Sequence, residues 1–284
     1  MMKRKVVLIV LVIMIASVLG VVLAGCGGDK KLPGVPWANE EILVYEMLSD
    51  KDEFLGTLEV KTTKLEAGEH ELSKFPGEKV KVSSSTTKGA RVVQTAKDTV
   101  GNIIMYSESI LNGFVPAASY KEVKYGNKNY TLKARYDGKK YVYSYNGEKE
   151  KTVRIKSGFM DNELMYFVTR CYELEGGYST TYTLIDPQTG AKEKIVAATS
   201  TEGRSGTFNY IDSTGASTPR TGDSIIAVTY SRDSTPKGKS IAVFYTKEIE
   251  LSGDLTTVSN RSKRIPTLIL ENDIKYVLKS ATIK

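Results

Sequence analysis

Two runs of alternating apolar residues meet at Asp137-Gly138, and this junction constrains the fold more than any other stretch. Asp-Gly is a two-residue hairpin signal, because both central positions of a type I′ turn need positive φ. A tight turn there sets Ala134 opposite Tyr141, Leu132 opposite Tyr143 and Tyr130 opposite Tyr145. Those six side chains share one face of the ribbon, and Lys133, Arg135 and Lys140 take the other. A ribbon with one aromatic face and one charged face has to cover the aromatic side. Asn146-Gly147 then turns the chain towards Val153-Arg154-Ile155. A strict two-residue loop would set Glu148 and Glu150 opposite Tyr145 and Tyr143, so a longer loop is expected. The register of that third strand stays open.

The same period of two recurs along most of the chain. Residues 41–46 and 55–60 read as a first strand pair around the acidic tip Asp50-Lys51-Asp52-Glu53, and 79–83, 91–94 and 103–106 follow. Residues 84–89 form a polar linker. Later strands are expected at 179–185, 193–198, 207–211, 225–230, 241–245, 267–270 and 275–278, with Ser/Thr/Gly-rich loops at 199–206 and 212–223. One segment departs from this rhythm. From Asp161 to Leu174, apolar residues fall at Leu164, Phe167, Val168, Cys171 and Leu174, a helical stripe. Asp161 suits the N-cap, Glu163 the first turn, Arg170 the last, and Gly176-Gly177 the stop. The expected fold is mainly β: one large meandering antiparallel sheet, rolled or folded on itself as a barrel or sandwich. A single amphipathic helix near 161–174 covers the sheet or plugs its mouth.

The first 25 residues are of a different kind. Lys3, Arg4 and Lys5 precede an uncharged apolar run from Val6 to Leu23, long enough to pass as a spanning helix. Leu23-Ala24-Gly25-Cys26 at its end resembles the lipobox of bacterial lipoproteins. The resemblance implies that residues 1–25 are a signal peptide and that Cys26 becomes the lipidated N-terminus. Residues 26–38 then serve as a tether, and 39–284 as a single β-rich extracytoplasmic domain. The location implied is lipid-anchored on the cell membrane or outer membrane, and more than one acyl chain makes such anchoring stable. Removing the signal leaves 259 of 284 residues and lowers the formal charge from +7 to about +4. That balance is too weak for a nucleic-acid partner, and export argues against one as well. With Cys26 committed to lipid, Cys171 is alone and reads as a buried small hydrophobe, so no disulfide supports the fold.

Several short motifs resemble a family of uncharacterised exported bacterial β-proteins. They are the opening strand Glu41-Ile42-Leu43-Val44-Tyr45, the strand Leu55-Gly56-Thr57, and the helix from Asp161-Asn162-Glu163-Leu164 to Arg170. Gly206-Thr207-Phe208 and Tyr230-Ser231-Arg232-Asp233 complete the set. The resemblance covers most of residues 40–250 and implies a fold without an activity.

Catalytic chemistry finds little support. His70 is the single histidine and is expected in a charged loop over 66–71. Ser85-Lys88 and Ser234-Lys237 match Ser-x-x-Lys, but in turn-like sequence and without a Lys-Thr-Gly partner. One histidine and one free cysteine cannot build a zinc site, and residues 50–53 lack the spacing of a calcium loop, so no metal and no cofactor is expected. Tyrosine is the conspicuous residue, at 17 against 7 phenylalanines and one tryptophan. Its apolar body and polar tip suit a partly wet groove. The face formed by Tyr130, Leu132, Tyr141, Tyr143 and Tyr145 is therefore the candidate ligand surface, with ordinary core packing as the competing explanation. These readings favour a non-catalytic envelope protein that binds an amphiphile, a glycan or an envelope partner through a curved sheet. An envelope hydrolase whose acidic pair is defined only in space is the alternative.

Overall fold

The computed structural model describes residues 36–83, 89–155, 159–174, 177–200, 207–211, 214–221, 225–232, 241–246 and 264–284. The expected signal segment, Cys26, the expected tether up to residue 35 and linker residues 84–88 lie outside the described residues. So does most of the expected loop at 199–206.

β1 (Glu40–Ser49) and β2 (Phe54–Leu65) form the expected first pair. A side hairpin follows, β3 (Gly68–Leu72) with β4 (Phe75–Val82). His70 thus lies in a strand and not in a loop, with its ring Nε2 2.8 Å from the Glu66 carbonyl. The meander continues through β5 (Gly89–Lys97), β6 (Ile103–Asn112) and β7 (Val115–Tyr125). It then runs through β8 (Lys128–Asp137), β9 (Lys140–Tyr145) and β10 (Lys151–Arg154). After the helical segment come β11 (Ser179–Ile185), β12 (Lys192–Ser200), β13 (Thr207–Ile211) and β14 (Ser217–Thr221). β14 occupies part of the stretch expected to be loop. The last strands are β15 (Ile225–Arg232), β16 (Ile241–Thr246), β17 (Pro266–Glu271) and β18 (Ile274–Ile283).

All but the side hairpin join one large sheet. Its order is β10-β9-β8-β7-β6-β5-β2-β1-β18-β17-β16-β15-β12-β11, with the β13–β14 hairpin branching from β18. The pairings are antiparallel except β13 on β18, where β18 has outrun β17. The sheet rolls until its two ends meet. Phe159, just past β10, bridges Thr183 of β11, the Met160 amide donates to the Thr183 carbonyl at 3.0 Å, and Lys192 Nζ donates to the Arg154 carbonyl at 2.7 Å. No ladder joins β10 to β11 among the described residues, so the sheet is barrel-like without being a closed barrel.

The central hairpin forms one step away from the expected register. Asp137 leaves the turn and pairs with Lys140, and the two-residue loop is Gly138-Lys139. Only Gly138 takes positive φ, at 46°, so the turn needs one permissive residue at its first central position instead of two. Tyr136 therefore faces Tyr141, Ala134 faces Tyr143 and Leu132 faces Tyr145. The slip is two residues, the period of the pleat, so the expected face keeps its members and gains Tyr136. The following loop spans 146–150, longer than two residues, and β10 sets Val153 opposite Tyr141.

The expected helix over 161–174 is a 3₁₀ turn, Asn162–Leu164, running into α1 (Met165–Thr169). Asp161 is its N-cap, accepting from the Glu163 amide. Thr169 Oγ1 donates to the Met165 carbonyl at 2.8 Å, and the next amides bond three residues back, so the α-helix ends early. The stripe is nonetheless buried in full. Leu164, Phe167, Val168, Cys171 and Leu174 pack inside the roll with Trp37, Tyr182, Val228 and Tyr230. Trp37 stacks on Phe167 with ring centroids 4.6 Å apart. Arg170, expected in the last turn of the helix, follows the end of α1 and is wholly buried, its Nη1 and Nη2 donating to the two carboxylate oxygens of Glu41 at 2.7 and 2.8 Å. The helical plug is thus fixed to β1.

Candidate ligand-binding cavity

Between the plug and strands β1, β2, β5–β8, β17 and β18 lies a cavity of about 340 Å³. Its wall is apolar where inward positions of several strands converge: Leu43, Leu58, Val60, Ala96, Met105 and Ile269. Phe167 and Arg170 of the plug close its deep end, and the most exposed lining residues, Tyr125, Lys128 and Asn272, mark the other. The hairpin tips around that end carry most of the exposed large hydrophobics: Phe54, Val100, Ile103 and Tyr125. An apolar ligand approaching this side meets apolar surface before it meets the cavity.

The polar lining is concentrated on one side. Lys121 of β7 pairs with Glu163, and both side chains are largely buried. Gln94 Nε2 donates to the Glu163 carbonyl at 2.7 Å. Behind them Asp161 accepts from Tyr136 Oη at 2.7 Å. Burial, and then the charge of Glu163 beside it, push the Asp161 carboxyl up to about 7. Burial acts on Glu163 in the same direction, but the Lys121 ammonium and the hydrogen bond with Asp161 outweigh it and hold Glu163 low. Lys121 is in turn raised, because Glu163 more than offsets its burial. Close enough to feel both charges is Glu271, raised by burial and only partly relieved by Tyr166 and the charge of Arg232. Tyr166 Oη is buried beside it without completing a hydrogen bond of normal geometry. Tyr276, also on the lining, is pushed up to about 12 by burial and then by Glu271.

Asp161 makes stability depend on pH in a defined direction. With its folded-state pKa raised, the native chain holds a proton that the unfolded chain has released between about pH 4 and pH 7. Stability is therefore expected to fall as pH rises through that window, by at most about 1.4 kcal/mol for each pH unit crossed. Asp161→Asn keeps a good N-cap and should flatten the slope. Urea midpoints at pH 4.5 and 7.5 for both proteins check this; equal slopes would show that Asp161 ionises freely.

The candidate face from the sequence is divided by the structure. Tyr130 lines the cavity, with Lys121 Nζ 5.8 Å from its ring centroid. Leu132, Tyr141 and Tyr143 are buried in a separate cluster with Ala134 and Ile155, where Tyr141 also packs on Phe159. Tyr145 stacks on Tyr130 at 5.4 Å and its hydroxyl accepts from Gln188 Nε2 at 2.6 Å. The cover over Tyr136 and Tyr141 is the segment Phe159 to Asp161, ahead of the helix. Reasoning from sequence missed Lys121, Glu163 as an inward group, and Glu271. Among the described residues no group of three or more His, Cys, Asp and Glu side chains is placed to hold a metal ion.

No family model and no curated protein matches the chain. Among solved structures it is similar to the crystal structure of a β-barrel-like protein of a domain of unknown function, DUF1849, from Brucella abortus. That likeness is at 10% identity with a TM-score of 0.40, over 88% of this chain and 100% of the other.

Proposed function

We propose that this is a lipid-anchored extracytoplasmic protein that holds an amphiphile inside its rolled sheet. The observation that carries the reading is the cavity: about 340 Å³, apolar along the strands, polar on one side and open at one end. Sites of this kind for small molecules run from about 300 to 1,000 Å³ and combine apolar walls with a few placed polar groups. An anchor at Cys26, as the lipobox-like sequence implies, would keep that cavity beside membrane amphiphiles.

The test is native mass spectrometry of the full chain released from membranes in a mild detergent. The expected result is one acylated N-terminus at Cys26 and one additional bound amphiphile. Leu58→Trp, which fills the cavity from β2, should lose the bound molecule while circular dichroism stays β-rich. A bare mass in both proteins would overturn the binding reading, and an unacylated Cys26 would overturn the anchor.

One observation favours the hydrolase alternative. Glu163 and Glu271 both line the cavity with pKa values pushed in opposite directions, as an acid–base pair requires. Glu163, however, is already occupied by Lys121, which leaves it poorly placed to take a proton from water. Binding is the better account.

A further inference from the structure

We propose that the amphiphile held in this cavity carries an ammonium head, which sits at the open end against Glu271 and the tyrosines Tyr125, Tyr166 and Tyr276. The proposal rests on the binding reading above and adds the chemical class of the ligand. The buried and half-buried cations near the cavity already have carboxylates: Lys121 has Glu163, Arg170 has Glu41 and Arg232 has Glu193. Glu271 makes no ion pair among the described residues, so the surplus charge on the polar side is negative. A fatty-acid carboxylate placed there would find no unclaimed buried cation and would meet Glu271. Lys128 stands at the edge of the opening, but it is exposed and screened by water.

The remaining polar lining fits a cation as well. Tyr125, Tyr130, Tyr166 and Tyr276 all line the cavity, and Tyr276 is close enough to Glu271 and Tyr125 to feel both. Aromatic faces beside a carboxylate are the recurring solution for quaternary and primary ammonium groups. The cavity already uses that contact once, for Lys121 over Tyr130. Tyr166 Oη is buried beside Glu271, so the carboxylate and a phenol oxygen meet at the same point of the lining. Placing the head here puts the tail against Leu43, Leu58 and Phe167, the deep apolar end.

Trp37, the single tryptophan, stacks on the cavity residue Phe167, so its fluorescence reports occupancy. The full chain is titrated with dodecyltrimethylammonium and with dodecanoate, both well below micelle formation. The expected result is at least about tenfold tighter binding of the ammonium probe, the size of one well-placed charged contact. That preference runs against the chain's net positive charge, with or without residues 1–25, which on its own favours the anion. Glu271→Gln should abolish the preference by weakening the cation alone. Tyr125→Ala, at a site already 52% exposed, should weaken the cation several-fold without endangering the fold. Equal or tighter binding of dodecanoate would overturn the ammonium head and leave the amphiphile reading standing. A preference that survives Glu271→Gln and Tyr125→Ala would overturn the assigned site. Binding of neither probe would overturn both readings.

Discussion

Arg170→Ala is expected to destabilise the protein by about 3–5 kcal/mol, because it strands a buried carboxylate. Glu41 and Arg170 are both essentially inaccessible, and the guanidinium meets the carboxylate with two hydrogen bonds of 2.7 and 2.8 Å. The same guanidinium packs 5.5 Å from the Phe167 ring centroid and has Nη2 3.5 Å from the Pro36 carbonyl. Truncation therefore removes the tie between plug and β1 and loosens the seat of Trp37. In a chain of this size the loss corresponds to a fall of roughly 6–20 °C in Tm. Replacing both partners with apolar residues, Glu41→Leu with Arg170→Met, should recover most of the loss, since no charge is then left buried. Urea denaturation of the three proteins decides it. A loss under about 1 kcal/mol in Arg170→Ala would mean that water reaches Glu41 and that the plug is held by its apolar stripe alone.

That ion pair also shows what the sequence could and could not reveal. Glu41 and Arg170 each stood out within a short motif, one opening a strand and one ending a helix, yet they are 129 positions apart and nothing local joins them. The strand motif at Leu55-Gly56-Thr57 had a similar hidden cause. Gly56 sits at φ 142°, and a Cβ there would lie 2.0 Å from the Lys97 carbonyl oxygen of β5. The β character was legible because alternation survives even where turn geometry is misjudged. The hairpin at Gly138 slipped by two residues and kept its face.

β7 was not legible, for a definite reason. Its residues Ala118 and Tyr120 face the β3–β4 hairpin, while Lys121, Val123 and Tyr125 face the cavity. A strand covered on both sides loses its alternation, and an inward lysine reads as a solvent position. Lys121 and Glu163 become a site only once the plug is inside the roll. Glu271, at the end of β17 beside the turn residue Asn272, offered no pattern at all.

Tyr143→Ala is expected to cost about 3–5 kcal/mol and to leave amphiphile binding within about threefold of the parent. Tyr143 is 2% exposed, stacks on Tyr141 with centroids 4.9 Å apart, and closes the cluster where β9 and β10 meet the end of β11. Its hydroxyl lies where a Cβ on Gly190, in the β11–β12 turn, would be 3.5 Å away, so the side chain spans the seam of the roll. Emptying that volume removes packing where no ladder holds the sheet together. Tyr130→Ala should behave in the opposite way. It is only partly buried and lines the cavity, so it should lose less stability and weaken binding of the ammonium probe. The two variants, read by urea denaturation and by Trp37 fluorescence, separate the seam from the cavity on a face that alternation alone treats as one. A stable Tyr143→Ala that no longer binds would move the ligand to the seam, and with it the function from the plug side of the roll to the junction of β10 and β11.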